Sequence, residues 1–280
     1  MSTTILKDAQ VITNVTDHNK FLYHYTSAET AITGILKFRT LRLSPYTSTN
    51  DPKERKNWLF DFGTNVSNKD LAVYNRDEFS VLLSREFKHK THLACFSRDA
   101  ETLTGNHVFD IFKRGFCKPR MWDRYADKHR GVCLVFNREQ LLKQIEQQIG
   151  NRFPLFSGPV TYSDQYIGYD PAHQEYTINV DVLEEVGLEK YLLLHLQHFH
   201  QSLFFEKMTD WKDESEWRCL AFTNSADPLD IRFEQSLVGL IFGDEIAAED
   251  RRQIMELNHC SGVHHVGLRW KNSTPWYDWQ

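Results

Sequence analysis

Apolar and polar positions along the chain group into an ordered series of strands and helices. FLYHYT, residues 21–26, is aromatic-rich and reads as a short strand. Ser27 then caps SAETAITGILK, where Ala31, Ile32, Ile35 and Leu36 recur at helical spacing. TLRLS alternates Leu41 and Leu43 with Arg42 and Ser44, the period of a half-buried strand. SPYTSTNDPKE stops it, because Pro, Ser, Asn and Asp cluster there and Asp51 precedes Pro52. Charged, helix-periodic sequence predicts helix over about 56–90, and THLACFS is an apolar strand. MWDRYADKH reads as a short helix with Gly131 as its C′ residue, VCLVF as a buried strand, NREQLLKQIEQQIG as an amphipathic helix and VTYSD as a strand. Residues 181–207 predict helix with Leu192, Leu193, Leu196, Phe199 and Leu203 on one side. ESEWRCLAF and SLVGLIFG follow as strands, AAEDRRQIMELN as a helix, and the tail from VHHVGLRW as candidate sheet. With no repeat and no low-complexity linker, the pattern implies one α+β domain over 1–280, a central mixed or antiparallel sheet flanked by helices. Residues 1–20 form an N-terminal extension in this reading, and about 56–90 and 181–207 are helical insertions.

Composition narrows the class. A chain of 280 residues with 13% aromatic and 25% charged residues can bury a sizeable core and is not disordered. The N-terminus has no basic and apolar leader, and no apolar run reaches bilayer length, so a soluble, cytoplasmic protein without membrane contact is expected. Five cysteines, an odd number placed mostly in apolar runs, read as reduced core thiols. The net charge of -5 gives no global attraction for nucleic acid. KPRMWDRYADKHRG, residues 118–131, interleaves basic and aromatic residues, but Asp123 and Asp127 interrupt it; it is either a local nucleic-acid face or an ordinary amphipathic helix.

Phosphate loops, a zinc-metalloprotease helix and a nucleophile elbow are absent from the sequence. Two histidine clusters, His195/His198/His200 and His259/Cys260/His264/His265, lack a completing ligand set, and no metal is expected. Two other features carry candidate chemistry. His24 is a lone strand histidine, either satisfied in the core or facing a pocket. In KDESEWR, a strand through Glu214 and Glu216 would put both carboxylates on one face, raising one pKa unless cations or a ligand hydroxyl compensate; the plainer reading is a solvated edge with Arg218 as an ion-pair partner.

LYHYTS with ILKFRTLRLS, then TNDPKE, CFS, MWDRYADKHRGVCLVF, KMTDWKDESEWR and SLVGLIFGDEIAAEDRRQIMEL together resemble the bacterial family DUF2971 across most of the chain. The first block, with its strand-borne histidine, helix and second strand, also resembles more loosely the opening of ADP-ribosyltransferases of the His-Tyr-Glu type. That resemblance implies an ADP-ribosyltransferase-like fold and NAD as substrate, without a metal. It implies Glu216, or else Glu214, as the catalytic carboxylate near the ribose, and His24 on a ribose hydroxyl with Thr26 in support. It further implies an aromatic residue on the nicotinamide ring, Tyr46 by position with Tyr25 and Tyr125 as alternatives, and Arg39 and Arg42 near the pyrophosphate. Asn50 and Asp51 either bind ligand hydroxyls or fix the turn, and Ser97 supplies a serine on a strand. The expected activity is transfer of ADP-ribose from NAD to a macromolecule, nucleic acid or protein, in a toxin–antitoxin or phage-defence setting. An antitoxin or immunity protein is then a candidate partner. The alternatives are an NAD glycohydrolase and a non-catalytic nucleotide- or partner-binding module.

Overall fold

FLYHYT forms strand β1 (Phe21–Thr26), and Ser27 caps the helix after it by accepting a hydrogen bond from the Thr30 amide. The structure is a computed structural model that describes residues 11–51, 54–164, 173–257, 260 and 262–279. Helix α1 runs Ala28–Thr30, widens into a π-helical turn over Ala31–Ile35 and closes over Leu36–Phe38, with Arg39 left-handed at its end. Strand β2 (Thr40–Pro45) buries Leu41 and Leu43 and turns Arg42 out, as its alternation predicts.

The predicted helix over 56–90 is only half formed. Helix α2 is Arg76–Lys90; ahead of it the chain is irregular apart from a short strand, Asp61–Gly63, paired in parallel with Thr177–Asn179. Strand β3 (Thr91–Arg98) follows, then helix α3 (Pro119–Tyr125) and strand β4 (Val132–Asn137). Asn137 caps helix α4 (Arg138–Ile145). The strand expected at VTYSD lies mostly earlier, as β5 (Leu155–Pro159), with a two-residue strand at Thr161–Tyr162. Gly187, at φ 76°, divides the predicted 181–207 helix into α5 (Val180–Val186) and α6 (Leu188–Phe204). Strands β6 (Glu216–Phe222), β7 (Leu229–Arg232) and β8 (Leu237–Phe242), helix α7 (Ala248–Glu256), and strands β9 (His264–Lys271) and β10 (Thr274–Asp278) complete the chain. Residues 11–20 are less detached than an extension: Ile12 and Val15 are buried in the core.

Ten strands form one mixed sheet in the order β7-β2-β3-β1-β4-β8-β9-β10, with β6 along β3 and β5 outside β6. All pairs within it are antiparallel except β8 with β9. One face packs Leu22, Ala94, Phe96, Leu134 and Cys219 against α1, α4 and α7. On the opposite face the core divides into two clusters. Tyr23, Tyr25 and Val135 pack on Trp122 of α3, whereas Leu93, Leu220 and Phe222 pack on α2 and α6.

One edge of β3 is shared unequally. β6 runs along the whole of its other edge, while β1 pairs with it only at Leu22↔Arg98 and Tyr23↔Ser97, and β2 only at Ser44↔Leu93 and Pro45↔His92. Residues 94–96 are therefore left without a strand partner on that edge, at the boundary between the two clusters.

Gly131 serves packing rather than a left-handed helix end. Helix α3 stops at Tyr125, and Asp127, Lys128 and His129 carry the positive φ values of the connection (47°, 52° and 69°). A Cβ on Gly131 would lie 2.1 Å from the Thr26 carbonyl oxygen. Gly131→Ala is therefore expected to cost about 1–3 kcal/mol through backbone displacement, read as a lower urea midpoint at unchanged slope. A loss within about 0.5 kcal/mol, typical of a neutral surface site, would show that the contact relaxes freely.

Candidate functional site

The gap between β1, β2 and β3 opens into a cleft of about 250 Å³, lined by His24, Cys95, Tyr125, Lys207, Glu214 and Glu216 among others. The register assigns His24 to the sheet face of Leu22 and Phe96, and Glu216 to the face of Ser97 and Tyr23. Both nevertheless line the cleft, because it lies where the strands part rather than on either face.

His24 fills part of that gap. Its Nδ1 lies 3.1 Å from the Cys95 carbonyl oxygen, one of the β3 edge groups without a strand partner, and its ring packs 5.7 Å from Phe96. A carbonyl only accepts, so Nδ1 carries the proton and donates. Burial lowers the His24 pKa, which keeps the ring neutral at pH 7 and makes Nε2 a hydrogen-bond acceptor. The two readings of His24 therefore coexist: it completes the sheet edge and it lines a cleft.

Glu214 and Glu216 converge by a different route from a shared strand. Glu214 ends a 3₁₀ turn, Thr209–Glu214; Ser215 is left-handed at φ 46°, and β6 starts only at Glu216. The turn is fixed by Ser97 Oγ donating to the Glu214 carbonyl at 2.8 Å and by the Arg98 amide donating to the Ser215 carbonyl at 2.9 Å. Lys207 then bridges the two carboxylates, 3.0 Å from Glu214 and 2.8 Å from Glu216.

Glu216 is 3% exposed and is gripped by Arg218, whose Nε and Nη2 donate to its two oxygens at 2.8 and 3.3 Å. Burial alone would raise its pKa, but Arg218 and Lys207 outweigh burial and hold the carboxyl at about 2. The solvated edge is thus replaced by a desolvated ion network: Arg218 also pairs with Glu54 and donates to the Phe204 carbonyl. Burial opposes the Lys207 charge as well, yet Glu216, Glu54 and Glu214 together raise its pKa. By formal charge, Glu54, Glu214 and Glu216 face Lys207, Arg218 and, at 4.0 Å from Glu214, Arg124, so the network balances.

The other sequence candidates scatter. Tyr125 lines the cleft and its hydroxyl donates to Glu214 Oε1 at 3.2 Å. Tyr46 is 3% exposed behind it, edge-on to Phe204 with Arg218 5.9 Å over its ring, which leaves no open face for a ligand ring. Tyr25 also lines the cleft, but its hydroxyl donates to the Gly115 carbonyl and its ring packs against Trp122. Thr26 is buried at the end of β1, away from the cleft lining. Arg39 donates to the Glu234 carbonyl at the far side of α1. Arg42 reaches the cleft rim but is held by Asp230. Asn50 and Asp51 both line the cleft, and Ser97 acts through the Glu214 backbone.

Sequence reasoning missed Lys207, Glu54 and Cys95. Nothing local marks Lys207, which the fold brings in from the end of α6; Glu54 comes from the loop ahead of α2. Cys95 opens into the cleft although its neighbours are apolar, and burial, with Glu216 close by, pushes its thiol pKa up. The first histidine cluster is dispersed in structural roles: His195 Nε2 bonds the Glu175 carbonyl, His198 Nδ1 the Leu194 carbonyl, and His200 packs on Phe156. His259 lies outside the described residues. Among the described residues, no group of three or more His, Cys, Asp or Glu could hold a metal ion, and no helix is long and apolar enough to cross a membrane.

Residues 121–219 match the family model DUF2971, described as a protein of unknown function. The matched segment begins in α3 and ends in β6, so it carries Tyr125, Lys207, Glu214, Glu216 and Arg218, the charged half of the cleft, and not His24. No curated protein and no solved structure matches the chain.

Lys207→Met would leave two adjacent buried carboxylates with one cation fewer. The expected cost at pH 7 is about 3–5 kcal/mol. The sign with pH follows from the depressed Glu216 pKa: the wild-type contribution is present above the ordinary 4.5 and fades as pH falls towards 2. In Lys207→Met one carboxyl takes up a proton at higher pH, so the stability gap from wild type should narrow between pH 7 and 4.5. Urea unfolding at three pH values in that range measures it; a gap independent of pH would contradict the network.

Proposed function

We propose that the cleft binds NAD, cleaves the bond between nicotinamide and ribose, and transfers ADP-ribose to a macromolecule. The observation that carries this reading is the buried Glu216 carboxylate, held as an anion by Arg218 and Lys207, in the lining of the cleft. The scissile group in NAD is cationic, and its transition state spreads positive charge onto the ribose, so a fixed carboxylate in a desolvated cleft favours that state over the neutral products. When the glycosidic bond breaks, its electron pair passes to the ring nitrogen and neutralises nicotinamide. The acceptor nucleophile bonds the anomeric carbon from the other side and gives its proton to Glu214, which Tyr125 and Lys207 orient. His24 Nε2 accepts a ribose hydroxyl. Tyr125, which lines the cleft, replaces Tyr46 as the ring that packs on nicotinamide. At about 250 Å³ the cleft is below the ~300–1,000 Å³ typical of small-molecule sites, so it encloses the nicotinamide riboside end and leaves the rest of NAD at the rim.

A second reading, a non-catalytic nucleotide- or partner-binding module, draws on one observation: both oxygens of Glu216 are already occupied.

The test is incubation with NAD labelled in its ADP-ribose part and cell extract. Wild type should consume NAD and label a macromolecule. Glu216→Gln should lower the rate by roughly 10²–10³-fold, the scale of losing one preorganised electrostatic group. His24→Asn, which keeps a donor for the Cys95 carbonyl and lacks Nε2, should lower it less. Free ADP-ribose alone would replace transfer with hydrolysis. NAD binding without turnover would favour the binding module, and neither binding nor turnover would overturn the reading.

A further inference from the structure

A second cavity, of about 540 Å³, adjoins the cleft. It is lined by Ser27 and Glu29 at the start of α1, by Arg124 and Tyr125 of α3, and by Glu245 and Asp250 before and within α7. Tyr125 lines both spaces, and Arg124 comes within 4.0 Å of Glu214, so one side-chain layer separates the groove from the carboxylates of the cleft.

The groove's charge selects the chemistry of that acceptor. Asp127 and Arg130 pair with each other, and Arg124 lies 4.4 Å over the Trp211 ring while facing Glu214. Among the described residues, Glu29, Glu245 and Asp250 have no ion-pair partner. Glu29 and Asp250 sit in first helical turns, where a carboxylate is ordinarily favoured by the helix dipole, but Glu245 does not. Of the basic stretch 118–130, Arg120 donates to the Asp210 carbonyl, Arg130 is paired and burial lowers the Lys118 pKa, while exposed Lys128 lies outside the groove lining. A polyanion would be repelled along this path, whereas a cationic side chain would be drawn in and lose little by leaving water beside so many carboxylates.

We infer that this groove is the acceptor subsite and takes a basic segment of a protein, presenting a guanidinium or ammonium group to Glu214. The assignment rests on the NAD-cleavage reading for its chemistry and on the groove's geometry and charge for its binding. In the transfer step an acceptor N–H gives its proton to Glu214, its nitrogen lone pair forms the new bond to the anomeric carbon, and nicotinamide leaves with the pair of the broken bond. Glu214 then returns the proton to water.

The experiment has two arms on the full chain. In the first, labelled NAD is supplied with poly-L-arginine, poly-L-lysine, polyuridylate or duplex DNA. Label on the basic polypeptides and not on the nucleic acids supports the inference. Label on nucleic acid, or free ADP-ribose alone, overturns it while leaving NAD cleavage standing. In the second, which needs no turnover, binding of fluorescent nona-arginine is titrated against wild type, Glu245→Lys with Asp250→Lys, and a control of equal charge change on α2, Asp77→Lys with Glu78→Lys. A loss of at least ten-fold in the groove variant, with less than three-fold in the control, supports the subsite. Equal losses in both variants, or no binding by wild type, overturn it. If NAD is not consumed at all, the NAD reading fails and the binding arm alone decides the groove.

Discussion

A carboxylate that has lost its water must be held by fixed cations, and Glu216 is such a carboxylate. Its two oxygens take Arg218 and Lys207; Arg218 in turn needs Glu54 and the Phe204 carbonyl, and Lys207 needs Glu214. The set closes only when the loop ahead of α2, the end of α6, the turn before β6 and β6 itself are all in place. Removing any member leaves an uncompensated charge in a medium that solvates it poorly, so the network acts as a single unit. A hydrophobic replacement of the whole set could be as stable, which makes the retention of five charged groups beside a cleft an argument for chemistry there.

The cleft exists because β3 offers one edge to two strands. β1 leaves it after Tyr23 and β2 joins it only at Leu93, so the backbone between them keeps an open edge that a continuous sheet would have sealed. His24 meets part of this cost by donating to the Cys95 carbonyl, and the same bond fixes its tautomer. Residues from opposite faces of the sheet thereby share one space: a neutral acceptor from β1 and an ionised carboxylate from β6. Such a meeting is unavailable on an unbroken sheet, where alternate residues are separated by the backbone layer.

Much of the fold was legible in the sequence, because local periodicity specifies it. The alternation in TLRLS, the cap at Ser27, and the apolar runs VCLVF and SLVGLIF all lie where their patterns indicate. Helix was overread across 56–75, where the chain is charged but lacks a sustained apolar face, and across Gly187, whose positive φ ends α5. The site was legible only in part. Glu-x-Glu and His24 stand out as residue types, and Arg218 was legible as an ion-pair partner, though of a solvated edge rather than a buried network. Lys207 and Glu54 did not stand out, because their roles depend on long-range packing that brings distant segments to one point. Tyr46 was chosen by order in the chain; the burial of its ring by Phe204 and Arg218, and the opening of Tyr125 instead, are properties of the folded core.

The account stands on Glu216 being an anion at all working pH values. Carbon-detected NMR of protein labelled at the glutamate Cδ measures this directly, with Glu216→Gln assigning the resonance. The Glu216 signal should keep its carboxylate shift from pH 7 down to about 3, below the ordinary carboxyl range, and move only as the protein approaches acid unfolding. A resonance that titrates near or above 4.5 would mean that Arg218 and Lys207 do not overcome its burial, and the electrostatic basis of the cleft would be wrong.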